Sequence, residues 1–64
     1  MTTAVLELTA EDIDYLLTGM WTADIESQII FEEEPAAVAL WNRLAALYNG
    51  LPVTERGGNE YRSR

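Results

Sequence analysis

Between Glu34 and Pro52 the apolar residues Ala37, Leu40, Trp41, Leu44, Leu47, Tyr48 and Leu51 recur at intervals of three and four. That spacing predicts a helix over about 35–49 with one buried face. Its ends are marked as well. Pro35 suits the first helical position, where a missing N–H costs nothing, and Glu33 and Glu34 complement the positive end of the helix dipole. At the other end Gly50 is expected to take a left-handed cap, with Leu51 folding back on the last turn and Pro52 stopping the helix.

A second period runs earlier. Thr9 with Asp12 three residues on resembles a capping box with Asp in place of Glu, and predicts a helix start at about residue 10. Ile13, Leu16, Leu17 and Met20 then share one face. Trp21, Ile25 and Ile29 form another, rotated from the first by more than a quarter turn. Two arrangements satisfy this pattern. In the favoured one, a single helix from about 10 to 32 carries two apolar faces, because an internal Gly19 costs only about 1 kcal/mol. In the alternative, a break near Gly19 gives a three-helix mini-bundle.

The fold class is therefore all-α. A 9–52 helical hairpin is flanked by a 1–8 N-terminal arm and a 53–64 disordered tail, the last because it lacks periodicity and contains Gly57-Gly58. Tyr61 offers a docking handle on that tail, but a solvated tail is the simpler reading. A first helix of about 34 Å outruns a second of roughly 22 Å. The uncovered stripe calls for a second copy, packed antiparallel into a four-helix bundle. Ile13, Leu17, Met20, Trp21, Ile25 and Ile29 are the expected interface, with self or with a partner. Size points the same way, since a chain of 64 residues buries only about 60% of its unfolded surface. No cysteine is present to staple it.

Charge sharpens the picture. The net charge is −7, but residues 1–52 hold nine acids against the lone base Arg43, while 53–64 hold Arg56, Arg62 and Arg64 against Glu55 and Glu60. Such a body repels nucleic acid and suits a basic protein partner. Glu32, Glu33 and Glu34 form the turn between the helices and an acidic patch for that partner. Asp24, in line with the first stripe, is level with Arg43 across the hairpin, and a buried ion pair fixing the register is expected there. No stretch is long and apolar enough to span a membrane, and no secretory leader pattern opens the chain. A cytoplasmic protein is the default.

Reactive chemistry is scarce. With no His and no Cys, Ser-His-Asp and Cys-His catalysis and the common zinc sites are excluded. Asp12-x-Asp14 begins like a calcium loop, but Leu16 and Leu17 follow where a ligand and a glycine belong. No catalytic residue, metal ligand or cofactor site is assigned.

The run Leu8-Thr9-Ala10-Glu11-Asp12-Ile13-Asp14-Tyr15-Leu16-Leu17, followed by the Leu-rich helix ending Leu44-Ala45-Ala46-Leu47-Tyr48, resembles small acidic helical-hairpin accessory proteins of bacteriophages. The resemblance covers about residues 8–51 and carries over no functional residue. It implies a non-enzymatic interaction module that binds and modulates or inhibits a host protein in the bacterial cytoplasm. The alternative is a self-assembling scaffold with no specific host target.

Overall fold

The capping box forms as the sequence predicts. In a computed structural model that describes residues 2–27 and 34–64, the Thr9 hydroxyl accepts from the Asp12 N–H at 3.1 Å and Asp12 accepts from the Thr9 N–H at 3.0 Å. Two of the orphan donors at the helix start are thereby satisfied. Helix α1 spans Ala10–Ser27 and passes through Gly19 without a break. The favoured continuous helix thus holds over its described length, and its expected end near 32 lies outside the described residues. Helix α2 spans Pro35–Asn49, with Pro35 in its first turn and Glu34 at the N-cap. No strand occurs among the described residues.

The helices pack as a hairpin around Ile13, Leu17, Trp41, Leu44, Ala45 and Tyr48. Leu17 is fully covered, with 0% of its surface exposed. All but Ala45, which sits beside Leu44 and Tyr48 on the same side of α2, lie on the stripes read from the sequence, which is how amphipathic period becomes a core. No charged or polar side chain is buried among the described residues. Arg43 stands exposed, so a buried Asp24–Arg43 pair is not what sets the register. Apolar packing between the stripes does that instead.

The end of α2 departs from expectation. Gly50 is right-handed at φ −81° rather than left-handed. Its N–H reaches the Ala46 carbonyl at 3.1 Å, and the Leu51 N–H reaches that of Tyr48 at 3.0 Å. The helical hydrogen bonding simply tightens, so no αL residue is needed. The positive φ angles appear later, at Gly57 (61°) and Gly58 (80°), where the chain reverses.

That reversal overturns the largest sequence expectation. Residues 53–64 are not a disordered tail. They form successive turns over 53–58, closed by bonds such as Glu55 N–H to Pro52 O at 3.0 Å and Gly58 N–H to Val53 O at 3.0 Å. Arg56 pins the turns from inside: its Nε donates to the Leu51 carbonyl at 3.0 Å and its guanidinium also reaches that of Asn59. The Tyr48 hydroxyl donates to the Arg56 carbonyl at 3.2 Å. Residues 59–64 then run back along the hairpin as a strap.

Candidate functional site

The strap lies on one flank of the hairpin, held by side chains of α2 that grip its main chain. Asn49 is the first clamp. Its Oδ1 accepts from the Tyr61 N–H at 2.9 Å and its Nδ2 donates to the Tyr61 carbonyl at 2.7 Å. Asn42 repeats the arrangement on Arg64, accepting at 2.7 Å and donating at 3.3 Å. Between them the Trp41 indole N–H donates to the Arg62 carbonyl at 2.7 Å. Spacing explains the match. Seven residues of helix rise roughly 10.5 Å, and three residues of extended chain cover about 10 Å. Asparagines seven apart on α2 therefore meet residues three apart on an antiparallel extended strap.

Two side chains of the strap, Tyr61 and Arg64, reach both helices. The Tyr61 ring meets Trp41 edge-on at 5.7 Å and Tyr48 edge-on at 5.1 Å, the geometry that aromatic quadrupoles favour. Its hydroxyl donates to the Asp14 carboxylate on α1. Burial, then the Asp14 bond and charge, push the Tyr61 hydroxyl pKa above its ordinary 10.0, while a hydrogen bond with Thr18 works the other way. The Arg64 guanidinium sits 4.4 Å from the Trp21 ring centre and 4.9 Å from that of Trp41. Each such cation–π contact is worth about 0.5–1 kcal/mol where water has access. Strap and helices together line an open groove of about 760 Å³, with Thr18, Trp21, Val38 and Trp41 as its helical wall.

The opposite flank is covered only at one end, where Leu6 and Leu8 of the N-terminal arm line a hollow with Tyr15 and Leu16. Tyr15 (80% exposed), Leu16, Leu40 and Leu47 (59%) face outward there. Gly19, Met20, Ala23 and Ala37 complete a shallow, almost wholly apolar trough with Tyr15, Leu16 and Leu40.

The residues expected at an interface are thus divided among three places. Ile13 and Leu17 are buried in the chain's own core and are unavailable to any partner. Trp41 and Tyr48 of α2 already cover that stripe, so no second copy is needed to hide it. Met20 packs half-buried at the edge of the core. Trp21 (47% exposed) lines the groove beside the strap, and Ile25 (55%) is exposed further along α1. Ile29, Glu32 and Glu33 lie outside the described residues, and Glu34 is exposed at the start of α2. Sequence reasoning missed Asn42 and Asn49. Their only signal was a seven-residue interval on the polar border of the α2 stripe, paired with the Tyr61-x-x-Arg64 spacing.

Among the described residues no group of three or more acidic side chains is gathered closely enough to hold a metal ion, and no helix is long and apolar enough to cross a membrane. Compared with protein-family models, curated proteins and solved structures, the chain matches none.

Proposed function

We propose that this chain is a non-enzymatic, acidic protein-interaction module that works as a homodimer and docks a basic protein, in the manner of a phage accessory protein modulating a host. The observation that carries the reading is the uncovered apolar flank: Tyr15, Leu16, Leu40 and Leu47 are all exposed on one side of a single hairpin. Contiguous apolar surface of this kind marks association sites. A second copy is its natural occupant. Two hairpins joined by these flanks make a four-helix bundle, and the small Gly19, Ala23 and Ala37 in the trough let helices approach closely. The dimer leaves both straps on the outside. The basic partner then meets a body whose first 52 residues carry nine acids and one base.

Light scattering tests the dimer. The expected mass is twice 7.2 kDa, returning to a single chain in Leu40→Asp with unchanged helical circular dichroism. A monomeric mass for the unaltered chain at high concentration refutes the proposed use of this flank. A scaffold without a target is the rival reading, favoured by the fact that the strap already fills the other flank. Retention of one defined basic host protein by wild type, lost when Glu32, Glu33 and Glu34 are changed to Gln, decides against the scaffold.

A further inference from the structure

We propose that the strap's seat is a receptor for an extended, arginine-bearing segment of the basic partner, and that Tyr61–Arg64 occupies it in cis as an internal stand-in. This rests on the reading above that the partner is basic, and it names both the surface and the recognised chemistry.

Three features of the seat support it. First, the Asn42, Asn49 and Trp41 bonds all go to main-chain atoms of the strap. Such bonds do not depend on which side chains the segment carries, so any extended chain offers the same partners. Second, the two side-chain demands are spaced to suit one another. An aromatic ring fits against Trp41 and Tyr48, and a cation three residues later sits at the faces of Trp21 and Trp41. The occupant is therefore a segment of the form aromatic-x-x-Arg. Third, charge favours exchange with a basic protein. The body is strongly acidic, while the strap brings Arg62 and Arg64 to it. A more basic competitor is drawn by the same field.

The strap is tethered through the turns at 53–58, so it competes at an effective concentration on the order of millimolar. The wild-type chain therefore admits a free peptide only weakly, and loosening the strap is what opens the seat. Guanidinium in particular is expected over ammonium, because its planar face stacks on indole.

The test uses the full-length chain and a fluorescent N-acetylated peptide of sequence Asn-Glu-Tyr-Arg-Ser-Arg, followed by anisotropy. Arg64→Ala is expected to bind the peptide roughly tenfold more tightly than wild type, the size of two cation–π contacts removed from the competitor. Adding Trp21→Ala to that variant removes much of the gain, because only the peptide then carries an arginine for that ring, and a peptide ending in Glu does not bind. Equal affinity for wild type and Arg64→Ala, with helices intact by circular dichroism, overturns the proposal. A measurement on the unaltered chain guards against a variant that fails to fold. Millimolar peptide is expected to leave the Trp21 and Trp41 indole N–H resonances in place, because the same sequence takes the seat, while the backbone N–H resonances of Tyr61 and Arg64 move to unstructured positions; unmoved Tyr61 and Arg64 resonances overturn it equally. Peptide binding lost while the doubled mass persists sinks the receptor alone. Binding by a monomeric chain sinks only the dimer.

Discussion

Replacing Tyr61 by Ala removes the side chain through which the strap joins the core. The residue is largely covered, so of the 150–250 Å² that a fully buried aromatic residue removes from water it hides roughly 100 Å² or more. At about 25 cal/mol/Å² that is ~2.5 kcal/mol. The edge-on contacts with Trp41 and Tyr48 add about 0.5–1.5 kcal/mol each when counted separately, though part of this overlaps with the burial. A loss of about 3 kcal/mol results, against a total stability of roughly 3–10 kcal/mol for a chain of this length. In thermal terms it is a fall of about 12–24 °C in Tm. Tyr61→Phe keeps both ring contacts and loses only the hydroxyl's hydrogen bonding with Asp14 and Thr18, for about 1–2 kcal/mol. Urea denaturation followed by both tryptophan fluorescence and far-ultraviolet circular dichroism measures the pair. Equal losses for Ala and Phe, or a loss below about 1 kcal/mol for Ala, refute the claim that the strap is part of the folded unit.

Removing the hydroxyl in Thr9→Ala deletes half of the reciprocal cap with Asp12 and is expected to cost about 1 kcal/mol in denaturant titrations. Gly58→Ala places a side chain at φ 80° and costs about 1 kcal/mol through backbone strain, read as a lower Tm. Gly19→Ala has the opposite sign: a Cβ there meets nothing within 4 Å. On the monomeric Leu40→Asp background it stabilises α1 by about 0.5–1 kcal/mol, and a decrease contradicts an open trough. Alkaline titration isolates the Tyr61 hydroxyl. Its pKa is raised on folding from 10.0, so the unfolded chain releases this proton first. Its contribution to stability is whole below pH 10.0 and is lost as pH climbs through that value toward the folded one. Tyr61→Phe removes that part of the decline, seen as a shallower fall of denaturation midpoint above pH 10.0.

The helices were legible because their cohesion is local. Thr9-x-x-Asp12, the Ile13–Met20 stripe and Pro35 each act within one or two turns, so spacing along the chain carries the information. The core residues followed from the same period. The strap obeys no such rule. Its bonds join residues separated by 12 positions (Asn49 and Tyr61), 21 (Trp41 and Arg62), 22 (Asn42 and Arg64) and 47 (Asp14 and Tyr61). Side chains reading a main chain leave no periodic mark on the segment being read, and a charged, glycine-containing stretch looks solvated. Gly57-Gly58 reads as slack in the sequence but is the turn, with both residues at positive φ. The assignment of Ile13 and Leu17 to an interface failed for a related reason. Rod lengths alone leave the start of α1 uncovered, but the core stripe of α2 extends through Tyr48 and packs in one cluster with Ile13.

A two-helix hairpin has two open flanks, and this chain treats them differently. On one side, polar clamps at Asn42 and Asn49 and a cation seat at Trp21 and Trp41 take a segment with its own hydrogen-bonding needs. On the other, Tyr15, Leu16, Leu40 and Leu47 offer surface that is almost purely apolar. The first suits an occupant that comes and goes, because main-chain bonds and exposed cation–π contacts are individually weak and exchange readily for water. The second suits a constant neighbour, since apolar area is costly to return to solvent. The same division explains the arginines. Three of the four lie in 53–64: Arg56 holds the turns that aim the strap, and Arg64 occupies the seat between the indoles. A charge asymmetry that reads as an acidic body with a loose basic tail is, once folded, an attraction within the chain between the arginine-bearing strap and the acidic body.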